Sequence, residues 1–234
     1  MSESESQKGS LQFHALDPEA AIEVSERYLP HWFQVGAATF VTFRTADSIP
    51  KEVVDRWRKE LAEWLRIQKL PMQLADFVLA HRTDHYYQLF NQLSTSQQRD
   101  YKRLNDRLFH HSLDECHGAC LLRRPELANI VGDAIKFYDS MKYDLDRFVI
   151  MPNHVHAIVQ FRPGADLKTV SESWMRYTAR QINLVTSGTG AFWQPEPFDH
   201  IIRSSEQFLY LQDYIADNPR KAKLKAGEYL YWER

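Results

Sequence analysis

Two short stretches of this chain carry side chains whose types and spacing could do chemistry. The first is Met151-Pro152-Asn153-His154-Val155-His156. Alternate side chains of an extended strand share a face, so His154 and His156 project together while Val155 turns away. Two imidazoles one strand step apart can ligate a single metal ion. A bare His-x-His is also compatible with surface histidines on an edge strand. The turn before it and the apolar run after it weaken that alternative without removing it. The second stretch is Tyr214-Ile215-Ala216-Asp217-Asn218-Pro219. On a helix Tyr214 and Asn218 fall on one face, with Tyr210 one turn earlier. A tyrosine can form a covalent intermediate, and an asparagine amide oxygen can ligate a hard cation. Alone, the same spacing describes an amphipathic helix with a tyrosine in its core. Tyr177, beside Arg176 and Arg180, is a rival nucleophile; Tyr214 is preferred because Asn218 gives it a physical route to the metal.

Other clusters are less pointed. Arg220, Lys221, Lys223 and Lys225 put positive charge just after the tyrosine helix, and Arg176, Arg180 and Arg203 could extend that face. From Arg162 onward, however, ten Lys and Arg stand against nine Asp and Glu, so there is no overall basic field. His110, His111, Cys116, His117 and Cys120 invite a zinc reading. The cysteines are spaced by three residues, not two, and no second cysteine pair exists, which argues against a structural zinc. His14, His31, His81 and His85 receive no role.

Apolar residues make up 44% of the 234 and charged residues 26%, as expected of a globular chain with a real core. The net charge of −2 counts against a nucleic-acid binder, although a local basic face can still hold phosphates. Two cysteines imply no disulfide framework and point to a reducing cytoplasm. The polar N-terminus has no apolar signal region, and no apolar run reaches membrane-spanning length.

The elements that must position these residues follow from periodicity. Ala37 to Phe43 reads as a strand. A helix starts near Pro50 and carries Val54, Trp57, Leu61 and Leu65. Residues 66–118 read as part of a helical insertion, with helical character from Gln97 to Phe109. Pro125 to Met141 is an amphipathic helix. Asp144–Met151 and Val155–Phe161 form a hairpin around Pro152-Asn153. Asp166 caps a helix to Leu184, Phe192 to Ile202 is extended, and a last helix from Ser204 ends at Pro219. This order is the split βαβ pattern, an α+β ferredoxin-like core: an antiparallel sheet with helices on one face and a helical insertion at about 50–115. Residues 1–12 read as a disordered tail, 13–226 as one domain and 227–234 as a C-terminal tail.

Met-Pro-Asn-His-Val-His at 151–156, with Tyr-Ile-x-x-Asn-Pro-x-x-Ala at 214–222, resembles the single-tyrosine HUH transposases, and most closely the branch of REP-associated tyrosine transposases. Thr42-Phe43-Arg44, Tyr177 to Asn183, Phe192-Trp193-Gln194 and Phe198 to Arg203 resemble further pieces of that branch. The resemblance covers about residues 30–50 and 115–226 and leaves 60–110 unexplained. It implies that His154, His156 and Asn218 hold Mg²⁺ or Mn²⁺ and that Tyr214 is the nucleophile. The implied substrate is single-stranded DNA beside a hairpin, cut to a 5′-phosphotyrosine and a free 3′-OH. Arg176, Arg180, Arg203, Arg220 and Lys221 are the candidate DNA contacts. The alternative is a domesticated hairpin-DNA binder that no longer cuts. A phosphoesterase acting on a small nucleotide or RNA would need a second histidine motif, which is absent. The resemblance leaves monomer and homodimer both open.

Overall fold

A computed structural model describes residues 12–26, 30–77 and 84–234. The expected tail thus falls almost wholly outside the described residues, as does His81, and the side chains of His31 and His85 are likewise not described. A small hairpin, β1 (Glu23–Glu26) and β2 (Pro30–Phe33), precedes the main sheet. The main sheet begins with β3 (Ala38–Arg44) and the helical segment follows: α1 (Lys51–Ile67), α2 (Asp84–Asn91) and α3 (Thr95–Asp114). The chain then runs α4 (Pro125–Lys136), β4 (Tyr143–Ile150), β5 (His154–Phe161), α5 (Leu167–Thr186), β6 (Phe198–Ile201), α6 (Ser205–Lys221) and β7 (Leu230–Glu233). The result is an α+β fold whose five-stranded sheet is antiparallel throughout, in the order β6-β3-β5-β4-β7.

Strand alternation makes this sheet apolar on both faces. Val41, Phe43, Phe148, Val155, Ala157 and Val159 pack in one cluster with Leu127 and Val131 of α4 and Val170 and Trp174 of α5. Ala38, Phe40, Val149 and Ile158 pack in another with Leu211 and Ile215 of α6. Helices therefore lie on both faces, not on one as the sequence led us to expect. A strand pair with two apolar faces must be covered on each, and α6, with Phe13, Tyr229 and Tyr231 beside it, covers the second.

Three further expectations are corrected. Residues 230–233, read as tail, form β7 and pair with β4, placing Trp232 in a stack on Phe148 at 5.7 Å. Pro219 does not end the last helix; it lies inside α6, which continues to Lys221. In the final turn a proline forfeits a single intrahelical bond, and the Ala222 and Leu224 amides still find the Asn218 and Pro219 carbonyls. The helix beginning at Pro125 stops at Lys136, short of Met141.

The helical segment has its own apolar cluster, with Trp57, Leu61, Leu65, Leu74, Tyr101, Leu108 and Leu113. Trp57 Nε1 donates to Ser112 Oγ at 2.9 Å, fixing α1 to α3, and Ser94 with Gln97 closes a capping box at the start of α3. Where the segment returns to the core, the Ala119 amide donates to Asp47 Oδ2 at 2.7 Å. Gly118 there has φ +88°, and a Cβ on it would sit 2.7 Å from the Asp47 carbonyl, so only glycine fits. Among the described residues, no helix is long and apolar enough to cross a membrane.

Candidate active site

The strand register decides which side chains meet. Thr42 stands opposite His156 and Arg44 opposite His154, so all four share the α6-facing side of the sheet. Both histidines are fully buried, with ring centroids 4.7 Å apart. Asn153 Nδ2 donates to the His117 carbonyl at 2.9 Å, which fixes the orientation of that amide. Its Oδ1, 2.8 Å from His154 Nδ1, must then accept, so His154 carries its proton on Nδ1 and a bare lone pair on Nε2. His156 Nδ1 lies 2.7 Å from Thr42 Oγ1, a hydroxyl that can accept from it and leave Nε2 bare. The Nε2 atoms of both rings are buried without a hydrogen-bond partner. Burial holds both imidazoles neutral: His154 is lowered to about 3, helped by the nearby His110, and His156 also falls well below its ordinary range.

Asn218 reaches the same place from α6. It is fully buried, and neither amide atom has a hydrogen-bond partner. It nonetheless influences the titration of His154, Asp114 and Tyr214, so the amide lies among these groups without good bonding geometry to any. A buried polar atom left unpaired costs about 1–3 kcal/mol, and three converging groups of this kind need a physical reason. Two imidazole lone pairs and an amide oxygen fit a divalent cation such as Mg²⁺ or Mn²⁺. Among the described residues no three His, Cys, Asp or Glu side chains come together as a metal site, so the amide is needed to complete the set.

Tyr214 lies one helical turn before Asn218. Its ring packs edge-on to His156 at 5.3 Å and to Phe40 at 6.1 Å. Its hydroxyl is 3.1 Å from His110 Nδ1, and Lys221 Nζ sits 5.0 Å from its ring centre. Burial, reinforced by the neighbouring Asp114 carboxylate, pushes the phenol above its ordinary value, while Asn218 opposes this.

No family model matches the chain. Over 87 residues it is 30% identical to the REP-associated tyrosine transposase of Escherichia coli strain K12, covering 37% of this chain and 50% of the relative. The chain is a distant relative of that transposase. It is also 27% identical over 96 residues to an uncharacterized protein of Haemophilus influenzae, covering 32% of this chain and 53% of that protein. The chain thus spans about half the length of the curated relatives it matches. A solved structure of a REP-associated tyrosine transposase bound to a REP hairpin aligns with 84% of this chain and 74% of its own, at 14% identity and a TM-score of 0.42.

The residues singled out by the transposase resemblance fall in different places. His154, His156, Asn218 and Tyr214 come together. Tyr177 does not: α5 covers the opposite face of the sheet, and Tyr177 is 54% exposed there, with Arg176 and Arg180 exposed beside it. Arg203 is exposed after β6, and Arg220 is turned aside in an ion pair with Asp217 at 2.5 Å. Of these five cations, Lys221 is the one described against Tyr214. Tyr210 is 65% exposed and stacks on Tyr214 at 6.5 Å.

Sequence reasoning missed several members. Thr42 and Asn153 orient the two imidazoles; Asn153 lay inside the motif, and Thr42 needed the strand register. Arg44 is half-buried, donates to Ser48 Oγ at 3.0 Å and lies 6.0 Å over Phe109, and burial lowers it to about 10. His200 packs against Phe40 with ring centroids 5.3 Å apart and is lowered by burial to about 4. His110 and Asp114 arrive from α3, and burial raises the Asp114 carboxyl to about 6. The remaining histidines and cysteines grouped with His110 make other contacts: His117 meets Glu115 at 2.8 Å, and Cys120 Sγ points at the Cys116 carbonyl at 2.7 Å.

Proposed function

We propose that this chain is a metal-dependent single-stranded DNA endonuclease and strand transferase, built on a ferredoxin-like core, that acts beside hairpin or palindromic DNA through Tyr214. The observation that carries this reading is the convergence of three unpartnered donor groups, on His154, His156 and Asn218, beside the Tyr214 ring. In the proposed step Tyr214 Oη attacks a phosphodiester. An O–P bond to the 5′ phosphate forms, the P–O3′ bond breaks, and the 3′-OH left behind can later reverse the exchange without ATP. A divalent cation held by His154, His156 and Asn218 would polarise a nonbridging oxygen and offset charge in the transition state. Asn153 keeps His154 in the tautomer that leaves Nε2 free, and Thr42, accepting from Nδ1, would hold His156 in the same one. Lys221 and Arg44 supply positive charge where a phosphate would approach, which a chain of net charge −2 must provide locally. The exposed Tyr210 offers a face on which a base can stack. We read the α1–α3 segment as an insertion within a single domain, and the two free cysteines as fitting a cytoplasmic setting.

The test is incubation of labelled hairpin-bearing single-stranded DNA with Mg²⁺ or Mn²⁺, comparing wild type with Tyr214→Phe. The DNA should come from repeats flanking the gene. A covalent protein–DNA adduct in wild type and none in the variant is expected. An adduct that survives Tyr214→Phe would move the nucleophile elsewhere. Tight binding with no adduct from either protein would favour a hairpin-DNA binder that does not cut.

A further inference from the structure

The α1–α3 segment has no counterpart in the sequence resemblance, yet one of its helices enters the site. On α3, His110 and Asp114 are one turn apart; on α6, Tyr214 and Asn218 are one turn apart. The two pairs face each other. His110 Nδ1 meets Tyr214 Oη at 3.1 Å, with the imidazole edge-on to the phenol ring at 5.7 Å. A neutral imidazole has one bare nitrogen, and in the tautomer that leaves Nδ1 bare the phenol donates to it. Phe109 and Phe198 flank the His110 ring at 5.4 and 6.4 Å, and His156 lies 6.3 Å away, so the ring is held on several sides.

We infer that His110 is the general base of the reaction proposed above, and that the insertion is therefore part of the active site. This rests on Tyr214 being the nucleophile. As Tyr214 Oη bonds to phosphorus, its proton passes to His110 Nδ1 while the P–O3′ bond breaks. The departing O3′ takes a proton from solvent water, and His110 afterwards returns its own to solvent, so the exchange consumes nothing. A bound phosphodiester brings negative charge beside the ring and favours the imidazolium as the proton arrives.

The experiment follows the single-turnover rate of covalent adduct formation on hairpin-bearing single-stranded DNA with a saturating divalent cation. It compares wild type, Tyr214→Phe, His110→Asn, His110→Gly and His111→Asn. His111 is the exposed neighbour of His110 and serves as the control. Hairpin affinity and Tm are measured alongside. Asparagine keeps a polar group near the Nδ1 position but cannot take a proton. His110→Asn should slow adduct formation by roughly 10²–10⁴-fold at unchanged hairpin affinity. Added imidazole should restore part of the rate to His110→Gly in a concentration-dependent way, with no effect on wild type or Tyr214→Phe. A His110→Asn rate near that of wild type would overturn the inference. So would a slow His110→Asn whose hairpin affinity and Tm fall together, with no imidazole rescue of His110→Gly, since that pattern marks a packing role. If wild type forms no adduct, or Tyr214→Phe still does, the underlying reading falls and this inference falls with it. Loss of the inference alone shows as a Tyr214-dependent adduct indifferent to His110.

Discussion

Replacing Thr42 with valine removes one hydroxyl from beside a proposed metal ligand and changes little else. Thr42 is 2% exposed, and its Oγ1 is 2.7 Å from His156 Nδ1. Valine keeps the branched shape but leaves the buried Nδ1 without a partner, at a cost of about 1–3 kcal/mol. For a chain of this length each kcal/mol lowers Tm by roughly 2–4 °C, so Tm should fall by roughly 2–12 °C. The metal is affected separately. An imidazole released from its outer partner loses orientation and basicity, worth about 10–100-fold in metal affinity, or about 1.4–2.7 kcal/mol. Calorimetric titration of Mn²⁺ into wild type, Thr42→Val and Thr42→Ser, with a Tm for each, separates the two effects. Serine restores the hydroxyl and should stay near wild type in both. A valine variant with a lowered Tm but undiminished Mn²⁺ affinity would refute the claim that His156 ligates through Nε2 while Thr42 holds the other nitrogen.

The same logic predicts that Asn153→Ala, which removes the acceptor at 2.8 Å from His154 Nδ1, weakens Mn²⁺ binding by about 10–100-fold, read by the same titration. Adding Mn²⁺ at about 100 times its Kd should stabilise wild type by about 2.7 kcal/mol, and EDTA should reverse the rise in Tm; His154→Ala should show neither response. His200 is held neutral, with a folded value of about 4 against 6.5 in the unfolded chain. Its stabilising contribution is therefore complete above pH 6.5 and is lost as pH falls toward 4, because the unfolded chain takes the proton first. That loss approaches about 3 kcal/mol, and His200→Gln should flatten the dependence of chemical-denaturation midpoints on pH across that window. Gly118→Ala forces a Cβ to within 2.7 Å of the Asp47 carbonyl at φ +88° and should cost about 1–3 kcal/mol, seen as a lower Tm.

The residues proposed for the chemistry were legible because their spacing matched a period. His154 and His156 needed only strand alternation, and Tyr214 with Asn218 needed only the helical turn. The sheet was legible for the same reason, since Ala38–Arg44, Tyr143–Ile150 and His154–Phe161 are rich in β-branched and aromatic residues. What stayed hidden depends on tertiary contact. Leu230-Tyr231-Trp232 has strand-favouring aromatics, but the run is too short to mark a strand alone; it pairs because β4 would otherwise present an open edge. Both apolar faces of β3 were visible, but the sequence does not say which helix covers which face. Pro219 signals a helix end, and packing overrode it. His110 was seen among neighbouring histidines and cysteines in the chain, whereas its partner Tyr214 lies 104 residues away.

The insertion's separate apolar cluster gives the molecule two levels of stability. Both ends of α1–α3 are gathered at Asp47 and Ala119, and its interior is built from residues that do not belong to the sheet's clusters. A contiguous unit with its own core opens with its own free energy, below that of global unfolding. When it opens, the sheet, the two buried histidines and Tyr214 stay in place, but His110 leaves with α3. Amide hydrogen exchange should therefore be faster along α3 than along β5. If the proposed function holds, warming should reach a temperature range in which the protein still grips a hairpin yet has ceased to cut it.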